Sequence, residues 1–192
     1  MQTRNYNTVY RLMHWAIAIC MLLLLLTIYL RLTWMNRDHM AAIILDFMAG
    51  IGQTLTQEQA VLLAKKIRKP MWDWHIYLGY TLLGLYSLRM LLPLFGQMKF
   101  ANPFKSGLGI KEKFQYGVYL IFYICVAASL VTGLIIEWGP KEFKKQTEAI
   151  HELSIYYLMA FIVLHFGGIL MAEFTGEKGL VSKIISGNKG RE

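Results

Sequence analysis

Four of the five histidines sit within or at the edge of long apolar runs: His14, His75, His151 and His165. Imidazole is costly in hydrocarbon, and ionisable side chains placed there are usually functional. Three chemistries use such a residue: metal ligation, proton transfer and interhelical hydrogen bonding. The spacing is informative. His151 and His165 are fourteen residues apart, as are His75 and Arg89. On a continuous helix fourteen residues return to within about 40° of the same face and rise about 21 Å. A helix through 151–165 thus presents two imidazoles on one face at two depths. The fifth histidine, His39, lies between runs and reads as solvated or interfacial.

The elements that must position these side chains are membrane spans. The chain has 192 residues, of which 56% are hydrophobic. Residues 12–30 contain only His14 as a strongly polar group. Residues 114–136 carry no charge, and 153–172 contain only His165. Residues 74–95 are apolar except for His75 and Arg89. Each run is long enough to cross a hydrocarbon core of about 30 Å. Helices of a soluble bundle would show polar outer faces, and these do not. The fold class expected is all-α: a four-span, up-down-up-down membrane bundle in one domain over residues 1–192, with spans at about 12–30, 74–95, 114–136 and 151–172.

The connection 31–70 is too long for a turn. It reads as two interfacial helices, one ending near Gly50 or Gly52 and one opened by a capping box of Thr56 and Gln59. Trp72 and Trp74 suit the headgroup level. The tail, 175–192, is polar and basic, with a short helix expected at 180–185. The first run is too long for a signal-peptide core, lacks an A-x-A site, and is expected to be retained. No internal repeat or low-complexity segment is present.

The net charge of +8 lies in short loops, which argues against nucleic acid as partner and for a lipid surface. Lys plus Arg number 11 on the side of the termini and 9 on the other, so the positive-inside rule favours cytoplasmic termini. Cys20 and Cys125 lie mid-span and read as packing residues. No C-x-x-C-H is present, so covalent haem attachment is not expected.

Alternating span direction sorts the four histidines by depth. Span one begins, and span four ends, on the side of the termini, so His14 and His165 share a level. Spans two and four begin on the other side, so His75 and His151 share the second level. Zinc asks for four ligands close together, which two pairs about 21 Å apart do not supply. The zinc-peptidase pattern H-E-x-x-H fails, because Ile155 stands where its second histidine belongs. Proton relays usually recruit carboxylates, and no Asp or Glu lies deep in a span. Two imidazoles facing each other suit the axial positions of a b-type haem, held without covalent attachment. Two such pairs imply two haems, one near each membrane surface.

Arg89 falls at the level of His14 and His165, and Arg11 lies one turn before His14. Either suits a haem propionate, although both could instead reach lipid phosphates. Gly79, Gly84, Gly117, Gly133, Gly167 and Gly168 could admit a flat macrocycle or serve close helix packing. Lys141, Lys144 and Lys145 form a basic loop that could attract an acidic partner or a small anion, or simply be solvated. Glu152, beside His151, reads as an interfacial carboxylate.

The stretches RLMHW at 11–15, HIYLG at 75–79 with Arg89 beyond, and HELSIYYLMAFIVLH at 151–165 resemble the bacterial cytochrome b561 family. The same domain occurs as the cytochrome b subunit of nickel–iron hydrogenases and thiosulfate reductase-like complexes. The resemblance spans almost the whole chain. It implies two b haems ligated by His14, His75, His151 and His165, in a bacterial inner-membrane protein that exchanges electrons with the quinone pool. An iron with two histidines has no open position, so quinone would react at a haem edge. The long first loop and the tail GLVSKIISG, similar to the subunit type, imply a relay to a periplasmic oxidoreductase or electron carrier. A self-contained superoxide:quinone oxidoreductase is the alternative, and a haem-free membrane scaffold the third.

Overall fold

The computed structural model describes residues 7–175 and 180–186. They form α1 (Thr8–Leu32), α2 (Arg37–Gly50), α3 (Gln57–Ile67), α4 (Lys69–Leu91), a 3-10 turn (Leu92–Phe95), α5 (Ile110–Trp138), α6 (Lys141–Glu152), α7 (Ser154–Phe174) and α8 (Leu180–Ser186). Four helical stretches are long and apolar enough to cross a membrane: Thr8–Leu32, Lys69–Phe95, Ile110–Trp138 and Lys141–Phe174. The fold is therefore all-α with four candidate spans, as the hydropathy pattern implies. Along them Leu22, Leu26, Ile121, Ile124, Val163 and Leu170 are exposed. In water that would be an adhesive surface; in lipid it is the solvated face, and the helical form pairs the backbone groups along each span.

The chain divides into two compact units, Ala16–Tyr86 and Met1–Trp15 with Ser87–Glu192. In the first, the long connection is a helical hairpin. Asn36 caps α2, its side-chain oxygen accepting from the N–H groups of Asp38 and His39. The Arg37 guanidinium, hydrogen-bonded to Asp38 at 2.9 Å, holds that carboxyl below its usual range. Gly52, at φ +71°, takes the left-handed conformation just after α2. The predicted capping box opens α3: Thr56 Oγ1 accepts from Gln59 N–H, and the Gln59 side chain accepts from Thr56 N–H. Ala41, Ala60 and Ala64 are fully buried between the two helices, and Met40, Ile44, Leu45 and Val61 pack around them. Small side chains at the crossing let the backbones approach closely.

In the second unit α5 and α7 pack antiparallel. Phe122 stacks on Phe161, with ring centroids 3.5 Å apart and planes 11° apart. Further along, Ser129 Oγ lies 2.6 Å from Ser154 Oγ and accepts from Tyr157 Oη at 3.0 Å. Hydroxyl pairs of this kind are the polar glue of helices in lipid. The partners run in opposite order along the two helices, so α5 acts as a ruler for the fourth span.

The fourth span is longer than expected and is broken. Residues 141–152, read from sequence as a basic loop leading into a span at 151, form the amphipathic helix α6, and α7 starts at Ser154. Pro140 opens α6, where a missing N–H costs nothing. At the junction Leu153 N–H bonds to Ile150 O and Tyr156 N–H to Leu153 O. These tightened i to i−3 bonds separate the two segments. His151 therefore sits in the last turn of α6, on a different segment from His165. Lys141, Lys144 and Lys145 are exposed on α6. The tail contains α8, near the expected position; residues 176–179 and 187–192 lie outside the described part.

Candidate functional site

His14 and His165 face each other with ring centroids 6.1 Å apart and planes inclined at 39°. His14 comes from the second turn of α1, His165 from the middle of α7. Aromatic neighbours hold both rings. Trp15 meets His14 edge-on at 5.7 Å. Phe161, one turn before His165, stacks on it at 5.5 Å, and Tyr119 of α5 approaches it at 6.5 Å. Helix α8 closes over this end: Trp15 Nε1 donates to Ile184 O at 3.3 Å and Arg11 Nη1 to Ile185 O at 3.1 Å. These are C-terminal carbonyls of α8, where a cation is favoured.

His151 is seated by α5. Its Nδ1 lies 3.0 Å from Thr132 Oγ1. A Cβ built on Gly133 would come within 3.3 Å of His151 Cε1, so the bare glycine makes room for the ring. Tyr119 beside His165 and Thr132 beside His151 are thirteen residues apart on one continuous helix, or about 20 Å along its axis. The expected separation in depth thus holds on α5, although the helix assumed to carry both histidines is broken at Leu153.

In the other unit His75 is fixed on two sides. Trp72 stacks on it at 4.9 Å with planes 8° apart. Thr27 Oγ1 lies 2.7 Å from its Nδ1. Trp72, read from sequence as a headgroup anchor, also lies under the Arg31 guanidinium at 5.1 Å. Thr27, Thr132 and Trp72 gave no functional signal in the sequence. A lone hydroxyl in an apolar run is nearly silent there. Applying the depth sorting to threonines as well as histidines would have found Thr27, which lies thirteen residues, about 20 Å, beyond His14.

Arg89 does not reach for lipid phosphates. It is 5% exposed, its guanidinium lies over the Phe100 ring at 4.2 Å, and Nε donates to Tyr123 Oη at 3.1 Å. Its Nη1 is buried without a hydrogen-bond partner. Arg11 Nε is likewise buried without one. A buried cationic donor with no acceptor costs several kcal/mol, more than a cation–π contact of about 2 kcal/mol returns. Both guanidinium groups thus call for an anion that the described residues do not supply. His39 is exposed, as expected of a solvated residue.

The donor set suits haem. A metal–imidazole bond is about 2.0–2.1 Å, and the ring centre lies about 1.1 Å behind the nitrogen, so two rings in line across one metal stand about 6.2 Å apart. The separation of His14 and His165 agrees. Among the described residues no three His, Cys, Asp or Glu side chains cluster as metal ligands. Haem carboxylates would answer the orphaned guanidinium donors. A Cβ on Gly117, Gly167 or Gly168 would meet no described atom within 4 Å, so close packing is not what keeps those positions small.

The sequence pattern of the prokaryotic cytochrome b561 family matches residues 5–187. The chain belongs to that family. Among curated proteins and among solved structures no match is found. As a prokaryotic cytochrome b561 with four candidate spans, it is a multi-pass membrane protein that binds b-type haem and transfers electrons.

Proposed function

We propose that this cytochrome b561 conducts electrons across the bacterial inner membrane between two b haems, one held by His14 and His165 and one by His75 and His151. It would link the quinone pool to a redox partner on the outer face, with both termini in the cytoplasm. The observation that carries the reading is the facing of His14 and His165 at 6.1 Å, in a unit that also holds two guanidinium groups with orphaned donors. The second pair is supported by the alternation of spans, by the family, and by the ordering of each ring on its own neighbours.

Bound haem supplies reversible one-electron oxidation and reduction. The chain's residues do the rest. The four imidazoles would hold the haem irons and leave no open site on them for substrate. Phe161, Trp15 and Tyr119 hold the first pair of rings and exclude water. Arg89 and Arg11 offer donors to propionate oxygens, and Arg89 does so from a site screened from solvent. Quinone would meet an edge near a membrane surface, where its apolar tail remains in lipid.

The full chain purified in detergent tests this. Dithionite should give the sharp visible bands of low-spin b haem, with close to two haems per chain by pyridine haemochrome. A quinol added to the oxidised protein should reduce it. A stable, folded preparation with no b-type spectrum would leave the haem-free scaffold as the reading.

A further inference from the structure

We infer that Thr27 and Thr132 are positioning residues that set the tautomer of His75 and His151 and thereby the ligand strength of their unprotonated nitrogens. The inference rests on the proposed reading that these histidines are haem ligands. Each threonine back-bonds to its own helix: Thr27 Oγ1 donates to Leu24 O at 2.6 Å, and Thr132 Oγ1 to Ala128 O at 2.8 Å, with Ser129 O at 3.0 Å. A hydroxyl has one proton. With that proton engaged by a carbonyl, the oxygen can only accept from the histidine nitrogen beside it, 2.7 Å away in one case and 3.0 Å in the other. Nδ1 then carries the proton, and Nε2 is the unprotonated nitrogen.

The two contacts come from different helices and meet different histidines, yet repeat one construction. Thr27 is 6% exposed, so its oxygen is not turned toward solvent. Donation from Nδ1 raises the basicity of the opposite nitrogen and fixes the ring's rotation. A more basic ligand stabilises ferric over ferrous iron and lowers the reduction potential. His14 and His165 are held by aromatic rings instead. The device therefore acts on one pair and not the other.

The test uses the full-length holoprotein with T27V, T27S, T132V and T132S, read by haem per chain and by spectroelectrochemical titration. Each valine variant should raise the midpoint potential of one haem component and leave the other in place; each serine variant should titrate like wild type. Unchanged potentials in both valine variants, or serine shifts as large as the valine shifts, would overturn the assignment. Where a valine variant sheds haem, retention by the serine variant supports the role and equal loss from both overturns it. H75A and H151A in the same series separate the two readings. If neither removes a haem component, the haem-ligand reading fails, whatever the threonines do. If T27V and T132V shift different components, the threonine role stands and the pairing of His75 with His151 fails.

Discussion

The Arg89 guanidinium lies over the ring of Phe100 at 4.2 Å while its Nε donates to the hydroxyl of Tyr123 at 3.1 Å. An arginine held this way is not a lipid anchor. It is fixed inside the unit that contains His14 and His165, with one donor nitrogen left over.

Replacing Arg89 by leucine should weaken haem retention. A charge-assisted hydrogen bond contributes about 1.5–3 kcal/mol, or roughly ten- to a hundredfold in affinity. The midpoint potential of the remaining haem should fall, because a nearby cation favours the reduced, less positive form. Lysine should restore the potential only in part, since it lacks the planar fork held between Phe100 and Tyr123. Competition with a high-affinity haem acceptor and a redox titration check both effects.

Gly133 should tolerate no side chain without moving His151. A Cβ there would press on His151 Cε1 at 3.3 Å. Gly133→Ala should displace the ring by a few tenths of an ångström, and Gly133→Val should cost about 1–3 kcal/mol of overpacking. The expected readout is selective loss of one of two haem components, with Gly168→Ala as a control that meets no described atom within 4 Å.

The hydroxyl cluster joining α5 to α7 should matter for stability before it matters for redox chemistry. Ser129→Ala removes the atom that accepts from Tyr157 and pairs with Ser154. Interhelical hydrogen bonds in membranes average about 0.6 kcal/mol and reach about 1.7. Thermal unfolding in detergent should show a loss in that range. Tyr157→Phe should cost less, since the pairing of Ser129 with Ser154 remains.

The capping box of α3 offers an independent check on the hairpin. Thr56→Ala removes the side-chain acceptor for Gln59 N–H. It should cost about 1 kcal/mol at an N-cap and leave haem content unchanged. Hydrogen exchange confined to residues near 56–60 reads the effect locally.

The four spans were legible because lipid demands unbroken apolar helices, which leave a signal over some twenty residues. The capping box at Thr56 was legible because it needs only two residue types at fixed spacing. The helical form of 141–152 was not: its polar, basic composition made hydropathy read it as a loop, although Pro140 and Glu142 are helix-start signals. The break at Leu153 left no mark in composition. Around the histidines, residue type and depth drew attention to His14 and His165, and the facing pair is present. The setting of Arg89 depends on Phe100 and Tyr123, which chain distance does not connect to it. The threonines were hidden for a related reason: a hydroxyl that back-bonds to its own helix is as inconspicuous in an apolar run as an alanine.

On the proposed pairing, these environments predict unequal haems. Arg89 and Arg11 accompany the His14–His165 pair and favour the reduced form; the threonine hydroxyls beside His75 and His151 favour the oxidised form. With the haems held as proposed, both effects should make the His14–His165 site the higher in potential.

A redox titration of wild type beside four single alanine variants at His14, His75, His151 and His165 is the most direct measurement. Wild type should resolve into two b-haem components. H14A and H165A should both remove the higher-potential one, and H75A and H151A the lower. Loss of the same component by H14A and H75A, or by H165A and H151A, would contradict the account.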